Sequence, residues 1–209
     1  MLRTDKVFVK FNSNFYSLYD INLEILKGDK VVILGESGSG KTTLLNVLVG
    51  LIKPSSGTVS VNGSVLNGVI KDIPTLFIPD KCVFFNNSTV YKNLQWAAKQ
   101  LSNIKCNDIE QILEEYGIFT LKDIKVKNLN EYQKFLLAVA RGMLKSPEII
   151  VIDDVTKYFN NQDTISAIAV LQKIALTPNT TLILATSNVE LAEKLGYRTI
   201  NIKSGSIKN

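Results

Sequence analysis

Histidine is absent from this chain of 209 residues, so no imidazole is available to any site it builds. Cysteine is nearly absent as well. Cys82 and Cys106 lie far apart without metal-ligand spacing, which points to buried or idle thiols in a reducing compartment. No apolar run approaches the length needed to cross a bilayer. The start, Met1-Leu2-Arg3-Thr4-Asp5-Lys6, leads into strand-like alternation and not into a secretory apolar stretch. A cytosolic protein is expected, one that can still dock on something that is not. Arginine is scarce: Arg3, Arg141 and Arg198 are the only three among 24 cationic residues. The net charge of +5 therefore rests on scattered lysines, without basic blocks and interleaved aromatics. It reads as a solvated surface, and a nucleic-acid partner is not expected. No internal repeat and no Ser/Gly linker separates independent domains.

What is present suits a folded domain. A hydrophobic content of 45% excludes a largely disordered chain. The length allows one core, or one core carrying a subdomain. Val7 to Phe11 and Leu18 to Leu26 alternate as strands, Lys27-Gly28-Asp29 turns, and Lys30 to Leu34 is a short apolar strand. Thr43 to Leu51 is predicted helical. Thr58 to Val61 with Asn62-Gly63 suggests a short antiparallel piece, and Thr75 to Ile78 a strand stopped by Pro79. Residues 89–129 change character, with Val90, Leu94, Ala97 and Leu101, then Ile109, Ile112, Leu113 and Tyr116, at helical spacing. A helix over Glu131 to Leu144, a wholly apolar strand Ile149 to Ile152, a strand from Thr180, a helix Val189 to Leu195 and a strand Thr199 to Ile202 follow. This pattern predicts an α/β fold with a mostly parallel sheet covered on both faces. An antiparallel β flank is expected near the N-terminus. Residues 1–88 and 130–209 would form the core, and 89–129 a small helical subdomain.

Gly35-Glu36-Ser37-Gly38-Ser39-Gly40-Lys41-Thr42, followed by Thr43, is a complete G-x-x-x-x-G-K-[ST] phosphate loop. Its glycines permit turns that a Cβ would block, so backbone N–H groups can point inward at phosphate oxygens. Lys41 supplies a cation for the β- and γ-phosphates and Thr42 a hydroxyl for Mg²⁺. The preceding strand and following helix are the right context, because the helix dipole favours an anion at its start. Asp153, ending the apolar strand, is the expected second Mg²⁺ residue. Asp154 is placed to orient an attacking water as a general base. Mg-ATP is the expected ligand.

Three further stretches extend the pattern. Gly50-Leu51-Ile52-Lys53-Pro54-Ser55-Ser56-Gly57 follows the first helix, Leu129-Asn130-Glu131-Tyr132-Gln133 follows the helical insert, and Ala138-Val139-Ala140-Arg141-Gly142-Met143-Leu144-Lys145-Ser146-Pro147 precedes the acidic strand. In this order they resemble the ATP-binding-cassette (ABC) ATPases over essentially the whole chain. The resemblance implies a P-loop NTPase core and a head-to-tail dimer with a second nucleotide-binding domain, either identical or different. It further implies a separate membrane-spanning subunit, and a position peripheral to the inner face of a membrane. It also makes Phe11 the candidate for stacking on adenine, the alternative being a strand Phe that faces the core.

Four positions depart from the family pattern. Leu129-Asn130-Glu131-Tyr132-Gln133 stands where the family has L-S-G-G-Q, so both glycines are lost and Glu131 brings a negative charge toward a partner's phosphate. At about 5 Å and an effective dielectric near 20, one like-charge pair costs roughly 3 kcal/mol unless Glu131 turns away. Asp154 replaces the catalytic Glu and is one methylene shorter. Ser187 replaces the switch histidine, and Asp80 replaces the coupling glutamine while keeping a carboxylate for Mg²⁺. The expectation is an ATP-binding subunit of an ABC-type transporter with slow hydrolysis. The alternatives are a non-hydrolysing, nucleotide-gated regulatory module and a soluble nucleic-acid-associated cassette ATPase.

Overall fold

A computed structural model describes residues 1–12, 15–101 and 105–208. Two sheets enclose one helix. The first sheet is antiparallel, in the order β2 (Phe15–Ile25), β1 (Leu2–Asn12), β4 (Ser56–Val61), β5 (Ser64–Val65). The second has six strands: β10 (Ser206–Lys208), β9 (Arg198–Lys203), β3 (Lys30–Leu34), β8 (Thr181–Thr186), β7 (Ile149–Asp153) and β6 (Thr75–Ile78). Every pairing in it is parallel except β10 with β9. The mostly parallel sheet and the antiparallel flank expected from the alternation are therefore both present.

The parallel strands are apolar throughout because both of their faces are covered. Val31, Ile33, Ile149, Val151 and Ile183 point to one side, where they meet α1 (Lys41–Leu48) and the inner face of the antiparallel sheet. Leu44, Leu45, Val47 and Leu48 of α1 are buried between the sheets. Each such side chain contributes about 1.5–3 kcal/mol on burial. Val32, Ile150, Ile152, Leu182 and Leu184 point the other way, against α4 (Glu131–Met143), α5 (Asn161–Ala175) and α6 (Val189–Leu195). The same cluster continues into α2 (Val90–Ala98) and α3 (Cys106–Glu115) through Val90, Leu94, Ile109 and Leu113. Buried Asn93 fastens α2 to the preceding loop, exchanging bonds with Phe85 N and O and the Thr89 carbonyl.

Some boundaries differ from the sequence pattern. α1 begins at Lys41, inside the loop motif, and ends at Leu48, because Gly50 takes φ 77° and turns the chain. α5 is not foreseen by the pattern, although Ala167, Leu171 and Ile174 form its buried face. Asn160 caps it, accepting from Asp163 N at 2.8 Å. The surrounding residues blur the stripe, since Ile165 is exposed. β10 is short and also unforeseen. The thiol of Cys82 is partly buried, and burial pushes its pKa up to about 11, in keeping with an idle thiol. The Cys106 side chain lies outside the described residues.

Gly57 shows how a turn residue sets the flank. It has φ 81°, beside a register shift where β1 slips between Asp5 and Phe8 against β4. A Cβ there would run into the Lys6 carbonyl, whereas one at Gly63 (φ 82°) would meet nothing within 4 Å. Both substitutions incur the left-handed backbone penalty of about 1–2 kcal/mol, and only Gly57→Ala adds a backbone clash. Urea unfolding is expected to show Gly57→Ala as at least about 1 kcal/mol more destabilising than Gly63→Ala.

Candidate nucleotide site

The carboxyl ends of the parallel strands gather the candidate residues, as open α/β sheets do at their ligand crevices. β3 ends in the phosphate loop, β7 in Asp153, β8 in Thr186 before Ser187, and β6 in Ile78 two residues before Asp80. Register places Leu34 opposite Thr186 and Asp153 opposite Ala185, so these ends lie in a row. The resulting cleft, about 310 Å³, is lined by Ser37, Gly38, Gly40, Lys41, Thr42, Thr43, Asp80, Asp153 and Asp154. Phe15, Ser17 and Lys157 complete its wall.

The loop takes the conformation its glycines allow. Gly38 and Gly40 hold φ 79° and 106°, and a Cβ on Gly35 would strike the Ile202 carbonyl. Gly40 opens α1 with no side-chain cap, and α1 has no acid in its first turn. Its N–H groups and dipole are thereby left for an anion. Lys41 is 5% exposed, its ammonium donating to the carbonyls of Gly35 (2.7 Å) and Glu36 (2.9 Å) and lying 3.9 Å from Asp154 Oδ2. Burial lowers its pKa, and Asp154 and Asp153 oppose that shift. The outer surface of the loop, with Gly35, Glu36 and Ser39, faces the β9–β10 hairpin, and Gly205 N donates to the Ser39 carbonyl at 2.9 Å. Ser17 and Thr43 share a hydroxyl bond of 2.7 Å.

Thr42 Oγ1 donates to Asp153 Oδ2 at 2.8 Å, while buried Asp153 Oδ1 has no hydrogen-bond partner among the described residues. An orphaned carboxylate oxygen beside a hydroxyl is a fitting place for Mg²⁺, which binds through one or two carboxylates and phosphate oxygens. Among the described residues no group of three or more His, Cys, Asp or Glu forms a metal cage, so such an ion needs the phosphates as ligands. Burial raises the pKa of Asp153, and the charges of Asp80 and Asp154 add to the rise.

Asp154 has φ 24° and ψ 39°, and its N–H donates to the Ala185 carbonyl at 3.0 Å. Ser187 Oγ donates to Asp154 Oδ2 at 3.0 Å, so the Ser187 hydroxyl is engaged with this carboxylate and is not part of the cleft wall. Phe11 is 61% exposed at the end of β1, which removes the core-facing alternative, but the cleft wall carries Phe15. Phe15 was not singled out from sequence, and Lys157 stands out there only as the start of Lys157-Tyr158-Phe159-Asn160, which departs from the family's S-A-L-D pattern.

At the start of α4, Asn130 and Gln133 cap each other, Asn130 Oδ1 accepting from Gln133 N (2.8 Å) and Gln133 Oε1 from Asn130 N (3.1 Å). Glu131 is paired with Lys134 at 2.7 Å, so the repulsion expected of it is partly neutralised. Tyr132 is folded inward against Phe135 and Phe159, with ring centroids 6.4 and 5.7 Å away.

The carboxyl of Asp153 binds its proton more tightly in the folded chain than in the unfolded one. Stability from this group is therefore greatest at low pH and falls as pH rises from the ordinary carboxylate range through its raised folded value. Asp153→Asn keeps an acceptor for Thr42 and removes the buried charge. Thermal unfolding at neutral pH is expected to rise by about 2–4 °C, a gain of order 1 kcal/mol, while Mg²⁺-dependent nucleotide affinity, measured by calorimetry, is lost.

Comparison with known proteins agrees with this geometry. The family model described as ABC transporter matches residues 18–157. A putative ABC transporter ATP-binding protein of Clostridium acetobutylicum is 29% identical over 209 residues, covering 94% of this chain and 74% of the relative. An energy-coupling factor transporter ATP-binding protein of Mycoplasmopsis pulmonis is 31% identical over 199 residues, covering 91% and 75%. A methionine import ATP-binding protein of Helicobacter pylori is 29% identical, and there the chain spans 63% of the relative's length. In fold, the chain superposes on a dimeric ATP-binding cassette bound to ADP and Pi with a TM-score of 0.87 at 22% identity, covering 100% of this chain and 97% of the other. With the family model matched over two thirds of its length, the chain belongs to the ABC transporter family.

Proposed function

We propose that the chain is the Mg-ATP-binding subunit of an ABC-type transporter assembly and a slow ATPase that couples nucleotide binding to a membrane partner. The observation that carries this reading is the convergence of Lys41, Thr42, Asp153 and Asp154 at the uncapped start of α1. Lys41 takes the β- and γ-phosphates, with Gly35, Glu36, Ser37, Gly38, Ser39, Gly40 and Thr43 forming the rest of the cradle. Phe11, exposed at the end of β1, is the adenine candidate that the family resemblance supplies, and Phe15 is the aromatic in the cleft wall. Thr42 and Asp153, joined by Asp80, hold Mg²⁺, which when bound neutralises phosphate charge. Asp154 orients water as the base, and Ser187 holds its carboxylate. A second nucleotide-binding domain completes the site.

The chain is one nucleotide-binding domain, in which residues 89–129 serve as a helical subdomain. The membrane partner fits the apolar surface beside it. Val83 is 82% exposed, and Phe85 and Trp96 stack edge to face at 5.1 Å. Arg141 holds this segment, donating to the Val83 carbonyl at 2.9 Å and lying over the Phe84 ring. No helix among the described residues is long and apolar enough to cross a membrane. The working position is at the cytoplasmic face of a membrane.

The non-hydrolysing alternative rests on Asp154 itself. Its Oδ2 is engaged by Ser187, and the shorter side chain places the carboxylate back toward β8. Phosphate release separates the two readings. A true ATPase loses turnover in Asp154→Asn with ATP affinity retained, and Asp154→Glu raises turnover about tenfold or more by restoring reach. Lys41→Ala loses both binding and turnover. Tight ATP binding without any turnover in the unaltered protein selects the regulatory module. Separately, Val83→Glu combined with Trp96→Glu is expected to leave ATP affinity unchanged and abolish co-purification with a membrane-spanning subunit from detergent extracts.

A further inference from the structure

Asp154 directly follows β7. Its backbone turns the chain into a single 3₁₀ turn over residues 155–158, and Lys157 N donates to the Asp154 carbonyl at 3.2 Å. That bond brings Lys157 back into the wall of the cleft with Lys41, Thr42, Asp153 and Asp154. Among the described residues the Lys157 ammonium is in no salt bridge; it lies 5.5 Å from the centre of the Tyr158 ring. It is close enough to Lys41 to oppose the charge on that ammonium.

The Lys41 ammonium has the Asp154 carboxylate at 3.9 Å, whereas Lys157, in the same wall, is in no salt bridge among the described residues, so its charge is left for an anion. Asp80 adds a third negative charge to a wall that must accept a polyphosphate, which raises the need for a second cation beyond Lys41. Lys157, three residues past Asp154, shares the cleft wall with the proposed base.

We propose that Lys157 is a second phosphate-binding cation, a residue that contacts the terminal phosphate of the nucleotide and so lets the cleft tell a triphosphate from a diphosphate. This rests on the ATP reading of the cleft.

The test is calorimetric, on the full chain with Mg²⁺, using the non-hydrolysable triphosphate AMP-PNP and ADP as probes. Lys157→Met is expected to weaken AMP-PNP about 10- to 150-fold, the range for one charge-assisted phosphate contact, and ADP less than about twofold. Lys157→Arg is expected to restore most of the loss, since a guanidinium keeps the charge and the reach. The side chain is exposed, so the variants should fold, and thermal unfolding verifies this. Equal weakening of both nucleotides, or no change in either, overturns the proposal. Failure of the unaltered protein to bind either probe sinks the ATP reading instead, so the two failures are told apart.

Discussion

Thr42 Oγ1 donates to Asp153 Oδ2 at 2.8 Å, and this bond ties the start of α1 to the end of the central strand β7. Asp153 is 1% exposed, so its charge is held in a place from which water is largely excluded. A desolvated carboxylate is costly unless it is bonded or ligated. The Thr42 hydroxyl satisfies one oxygen and leaves the other for a cation. The apolar strands around it, β7 above all, supply the rigidity that keeps the carboxylate there. The loop, the strand ends and the acids of the cleft are thus parts of one arrangement in which a buried charge is tolerated because it is put to use.

The contrast between helix starts sharpens this. α2, α4, α5 and α6 each begin with a side-chain cap: Thr89, Asn130, Asn160 and Asn188 accept from backbone N–H groups in the first turn. α3 also lacks such a cap at Lys105, but Asp108 in its first turn accepts from Lys105 N, whereas α1 begins at Gly40 with neither a cap nor an acid in its first turn. Orphan N–H groups at a helix start are satisfied by side chains, water or ligand. A protein that caps these four helices and leaves α1 open keeps that helix end for its phosphate.

Much of this was legible in the sequence because the relevant residues obey local rules. The phosphate loop is contiguous, Asp153 ends a wholly apolar strand, and the alternation of strands and helices announces a parallel sheet. What escaped is what depends on the chain meeting itself. Phe15 and Lys157 enter the cleft only because the β1–β2 hairpin and the turn after Asp154 fold over it. The attachment of Ser187 to Asp154 links residues 33 positions apart. Nor did the charge of Glu131 reveal that Lys134, one turn along, would share it. α5 was missed for a different reason: its apolar stripe is blurred by an exposed isoleucine, and tertiary packing decides the face that periodicity leaves open.

The start of α4 contrasts with the start of α1. Its first turn carries Glu131, and Asn130 and Gln133 occupy each other's backbone groups. Two of the N–H groups at that helix start are satisfied within the chain, whereas the start of α1 has no side-chain cap and no acid in its first turn. The two helix starts therefore differ in what they offer an anion: that of α1 is open, and that of α4 is partly filled and carries the charge of Glu131.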